Sequence, residues 1–165
     1  MTEFLNNLIE SLREELKQYG EMLALLDQQQ EMVVLRQTQD LLQTVAAINA
    51  QSGTIRAARL EREQYQRHLA RHLGLPETTG FAALVPVLPP DYRPLVSALV
   101  QENNSLLARV QQRARQNHLL LTRALELMQR LICSLFPANG TTTYNDAGGV
   151  LMPGLAPQSL YDAVG

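Results

Sequence analysis

The chain has 165 residues, of which 45% are hydrophobic and 18% charged, with a net charge of −2 and one cysteine. So small a net charge excludes a global electrostatic pull toward nucleic acid or acidic membranes, and a lone Cys133 excludes an internal disulfide framework and fits a reducing compartment. Aromatics are 5% and Trp is missing, which favours long helices meeting along seams over a compact mixed globule.

Residues 3 to about 36 place Leu5, Leu8, Leu12, Leu16, Tyr19, Leu23, Leu26, Gln30 and Val33 in steps of three and four, the stripe of one helix face. Thr2 is the expected N-cap, and Glu3 complements the dipole in the first turn. Asp40 is expected to cap a second helix starting at Leu41 and running through Val45, Ile48, Ser52, Ile55, Ala58, Tyr65 and Leu69 to Leu73. Ser52-Gly53-Thr54 interrupts that pattern, and Arg59 and Arg62 sit near its apolar face. "GLP" at 74–76 stops it: Gly74 suits a left-handed C-terminal position and Pro76 blocks continuation.

Residues 76–94 hold five of the eight prolines and form a connector. Within it "GFAALVPVL" predicts a short helix or turn packed over the bundle end, and "PPDYRP" a rigid turn. A third helix is expected from Pro94 to about Phe136, on the order of 60 Å long. Its seam, Asn103, Leu107, Val110, Ala114, Asn117, Leu121, Ala124, Met128, Leu131 and Leu135, alternates steps of four and three as a coiled coil does. Asparagine on such a seam costs stability. It either points to water or fixes register and partner choice through a hydrogen bond. From Pro137 the period is lost.

The expectation is an all-α chain: an elongated antiparallel bundle of three long, coiled-coil-like helices with a short connector and an irregular C-terminal tail. The bundle domain covers 1–136 and the tail 137–165. Three helices with one stripe each close only a thin core, leaving grooves where another helix fits.

No glycine-rich phosphate loop and no cysteine pair for zinc occur, and no cofactor is expected. His68 and His72 share a helix face at i and i+4, but two ligands beside Arg67 and Arg71 make a solvated basic face, not a metal site. Cys133, in "LMQRLICSLF", is expected as a small buried hydrophobe without the electropositive setting that activates a thiol. Glutamates interleave the arginines of 56–72, so these too are a solvated face and not a nucleic-acid patch. No signal peptide and no membrane span is read, so the chain is expected in the cytoplasm, and it is not expected to be an enzyme.

The N-terminal "LIESLREELKQYGEMLALLDQQQEMVV" followed by Asp40-Leu41-Leu42, the helix "QENNSLLARVQQRARQNHLLLTRALELMQRLI", and the tail "NGTTTYNDAGG" occur in that order over residues 3–149. This combination resembles the FlgN family of flagellar export chaperones. Asn145 stands where the family commonly has glycine, and Ala147 follows Asp146 where the family has Asp-Gly.

The resemblance implies a non-enzymatic chaperone that binds amphipathic terminal helices of the hook-associated proteins FlgK and FlgL. It would prevent their premature self-association and deliver them to the type III export gate, including FlhA. Client contacts are then expected along the third helix at Asn103, Leu107, Val110, Asn117, Leu121 and Met128, and gate docking at Tyr144 and Asp146. On physics alone Tyr144 has two outcomes: it covers its own bundle end, or it is presented by the Asn145-Asp146 turn for docking. The competing expectation is a structural coiled-coil protein that self-assembles through the same seams, and a homo-oligomer is compatible with either.

Overall fold

The computed structural model describes residues 2–35 and 37–135. These are almost entirely helical, with no strand among the described residues. The elements are α1 (Thr2–Leu35), α2 (Thr38–His72), α3 (Phe81–Leu84), a 3-10 turn (Val85–Val87) and α4 (Arg93–Leu135). The chain divides into two compact units, residues 1–126 and 127–165.

Helix boundaries move slightly from those expected. Thr2 is already inside α1, and α2 begins at Thr38, with Gln37 as a cap that makes no side-chain bond. Asp40 is therefore a first-turn residue, where its charge faces the positive end of the helix dipole. Ser52-Gly53-Thr54 does not interrupt α2. The hydroxyl of Ser52 donates to the carbonyl of Ile48 at 2.9 Å and that of Thr54 to Ala50 at 3.3 Å, so both polar groups are absorbed by the helix itself.

The end of α2 follows the sequence closely. Gly74 has φ +72°, the left-handed position. The amide of Gly74 donates to Arg71 O at 3.1 Å and that of Leu75 to Ala70 O at 2.9 Å. These two bonds are a Schellman motif, which satisfies carbonyls the helix would otherwise leave open.

The first unit has two apolar clusters. One gathers Leu5, Leu8, Ile9 and Leu12 of α1, Leu69 and Ala70 of α2, Leu84 and Leu88 of the connector, and Val96 of α4. The connector thus contributes two fully buried leucines, as the apolar "FAALVPVL" leads one to expect. The guanidinium of Arg93 donates to Leu88 O at 2.7 Å and fixes the connector where α4 starts. The other cluster joins Tyr19, Met22 and Leu26 of α1 with Ile48 of α2 and Val110 of α4.

Directions follow from pairwise contacts within this unit. On α2, Gln51 meets Gln18 of α1 while the later Arg62 meets the earlier Glu15, so the two helices run antiparallel. On α4, Asn103 meets Leu12 and Asn117 meets Leu26, advancing together, so α4 runs parallel to α1. The α2 stripe is incomplete: Val45, expected on its seam, is 39% exposed.

Replacing Gly74 by Ala leaves the space around it open but forces an L side chain into the left-handed region. The expected cost is about 1 kcal/mol, read as a lower urea midpoint with unchanged slope.

Candidate functional site

The buried residues of α4 are Val96, Asn103, Val110 and Asn117, each seven after the last, so valine and asparagine alternate at one seam position. Both amides turn to α1. Asn103 Nδ2 donates to Leu12 O and Leu99 O, each at 3.0 Å. Asn117 Nδ2 donates to Leu26 O at 2.7 Å and to Gln29 Oε1 at 3.0 Å. In each the Oδ1 atom is buried without a partner among the described residues. An unpaired buried acceptor carries a desolvation cost, so these asparagines hold register at the expense of stability. Arg113 adds an ion pair to Asp27 at 2.7 Å on the same α1–α4 side.

Between the two apolar clusters lies a polar layer the sequence shows only as a defect of α2. Glu15 is 4% exposed. Its carboxylate accepts from Arg62 Nε at 2.7 Å and from the Tyr19 hydroxyl at 2.8 Å, with Arg59 Nε at 3.6 Å. Arg59 in turn donates to the Tyr19 oxygen at 2.8 Å, and the Arg62 guanidinium lies 5.6 Å from the Phe81 ring centre. Burial pushes the Tyr19 phenol above its ordinary value near 10 and Glu15 adds to the rise, while the bond from Arg59 works against it. Arg59 is itself raised, first by its hydrogen bond to Tyr19. A cavity of about 800 Å³ opens beside this layer, with Phe81, Val85, Val100 and Leu107 on its apolar side.

The second unit is described over 127–135, one helical stretch. Five of its residues, Leu127, Met128, Leu131, Ile132 and Leu135, are large, apolar and 53–64% exposed. At 3.6 residues per turn they fall on one side of the helix, opposite Cys133. Cys133 is exposed, contrary to the expected burial, because both sides of this stretch are exposed.

Of the residues expected to contact a client, Asn103, Val110 and Asn117 are buried, Leu107 and Leu121 half-buried, and Met128 58% exposed. The exposed residues Leu127, Leu131, Ile132 and Leu135 are not among the expected client contacts, although Leu131 and Leu135 belong to the expected seam. Tyr144 and Asp146 lie outside the described residues.

An exposed apolar helix face of this kind is a feature of interaction surfaces. The profile of the family described as FlgN protein matches residues 1–151. The chain belongs to the FlgN family. FlgN proteins are chaperones of flagellum assembly, and the helical architecture of this member agrees with that. No curated protein and no solved structure matches the chain. No described helix of this FlgN-family member is long and apolar enough to cross a membrane.

Because the folded chain holds the Tyr19 proton more tightly than the unfolded chain, stability from this group is present below pH ~10 and is lost as pH rises beyond it. A Tyr19→Phe variant is expected to show a shallower fall of Tm than the parent between about pH 9 and 11.5, measured by circular dichroism.

Proposed function

We propose that this FlgN-family member is a cytoplasmic, non-enzymatic type III export chaperone for FlgK and FlgL. It binds their amphipathic terminal helices, keeps them from associating prematurely and delivers them to the export gate through FlhA. Its three long helices act as an antiparallel bundle that presents α4 to the client.

The observation that carries this proposal is the apolar face at Leu127, Met128, Leu131, Ile132 and Leu135, exposed on one side of α4. A helix laid along such a face is a common recognition mode, with anchors at i, i+3, i+4 and i+7. Burying these side chains yields about 25 cal/mol per Å² of apolar surface before ordering costs are subtracted, enough for a reversible grip. Methionine at 128 suits a surface that accommodates more than one client sequence. Asn103, Val110 and Asn117 serve it indirectly, since their bonds and packing against α1 fix how α4 is presented. Tyr144 and Asp146 supply the docking contact with FlhA.

A Leu131→Asp variant is expected to lose at least tenfold in affinity for FlgK and FlgL by calorimetry while keeping its helicity, since an ionised group would be buried against an apolar client. Unchanged affinity removes the client site from this face, whereas a stable stoichiometric oligomer with no client affinity in sedimentation rejects the chaperone assignment and favours self-assembly through the same seams. Tyr144→Ala is expected to weaken capture of FlhA and leave client affinity unchanged. Loss of client binding instead would place Tyr144 in the client site.

A further inference from the structure

We propose that the cavity beside Glu15 is a second docking site, separate from the apolar face of α4. It takes a helix turn of a protein partner that carries a carboxylate among apolar residues.

Charge is the first argument. The lining holds two carboxylates, Glu15 and Glu63, and two guanidinium groups, and Arg62 takes the short contact with Glu15 and the contact with Glu63, leaving Arg59 the weaker share. Each nitrogen of Arg62 has a partner: Nε binds Glu15 at 2.7 Å, Nη1 binds Gln66 at 2.7 Å, and Nη2 lies 3.5 Å from Glu63 at the rim. Arg59 has less. Its Nε is 3.6 Å from Glu15, Nη2 donates to the neutral Tyr19 hydroxyl, and Nη1 makes no hydrogen bond among the described residues. Its side chain is 38% exposed, so a partner can reach it. A guanidinium held at the edge of a partly dry site gains most from a second carboxylate, which its fork-shaped donors match.

Shape is the second. The lining on α4 runs from Ser97 to Leu107, a length of about 15 Å at the helical rise, and on α1 from Leu12 to Tyr19. The cavity is therefore a slot with helices along its length, not a compact pit, and about 800 Å³ of room suits one or two turns of an inserted helix. The wall of Phe81, Val85, Val100 and Leu107 receives the apolar residues of that turn while its carboxylate meets Arg59.

The test uses the full chain and two capped amphipathic helical peptides with one central Glu, or Gln in its place, flanked by leucines, read by fluorescence anisotropy. The Glu peptide is expected to bind at least tenfold more tightly than the Gln peptide. Arg59→Gln should remove that preference, with the fold kept by the Glu15–Arg62 pair. Ala82→Trp, at an exposed lining position, should block both peptides with helicity unchanged. Equal binding of the two peptides, no binding of either, or a preference that survives Arg59→Gln overturns the inference. Dodecanoate binding in place of the peptides also overturns it and reassigns the cavity to a small amphipathic acid. A chain that captures FlgK and FlgL yet treats the peptides alike sinks this site alone. One that prefers the Glu peptide yet captures neither protein sinks the client assignment alone.

Discussion

A carboxylate cannot leave water without a countercharge, and the pairing of α1 with α2 is built on meeting that demand for Glu15. One turn of α1 supplies Glu15 and Tyr19, and one turn of α2 supplies Arg59 and Arg62. Leucines alone would let the two helices slide past each other at little cost. A buried ion pair with a shared phenol gives one alignment a clear advantage, because any shift leaves a charge buried and unmatched. Apolar clusters lie to either side of this layer and depend on the alignment it sets. The same need for polar partners explains the cavity, since a layer rich in arginine and tyrosine does not fill space as aliphatic side chains do.

Much of the helical layout was legible in the sequence. The α1 stripe, the stop at Gly74 and the apolar connector all rest on local signals: a period, a left-handed residue, a proline. The α2 boundary was not legible because no side chain caps the helix at Gln37, and the continuity through Gly53 was not because glycine's propensity cost is small enough for the rest of the helix to override. The ion layer was visible only as two arginines in the wrong place on α2. Its meaning required knowing that Glu15 faces them, a long-range fact no periodicity contains.

The site was legible in part. The seam of α4 was recognised over its whole length, but a period states only that residues share a face and not whether anything covers it. Asn103, Val110 and Asn117 are covered by α1, whereas Met128, Leu131 and Leu135 are exposed. That contrast separates intramolecular core from candidate binding surface along one continuous helix, and it comes from burial alone. The distinction has an energetic side. A helix that spends two of its four buried seam positions on asparagine is held on α1 more by specificity than by hydrophobic adhesion.

The strict alternation of valine and asparagine on α4 also works as a vernier. If α4 slid along α1 by one heptad, every asparagine would land where a valine belongs, burying amides in apolar clusters and leaving the carbonyls of Leu12 and Leu26 facing methyl groups. A slip of two heptads returns an asparagine to only one of the two carbonyls, and its translation of about 21 Å strips Val96 from its leucines. Small errors of alignment are thus penalised as heavily as large ones. The helix settles into one position instead of creeping through a series of near-equivalent ones.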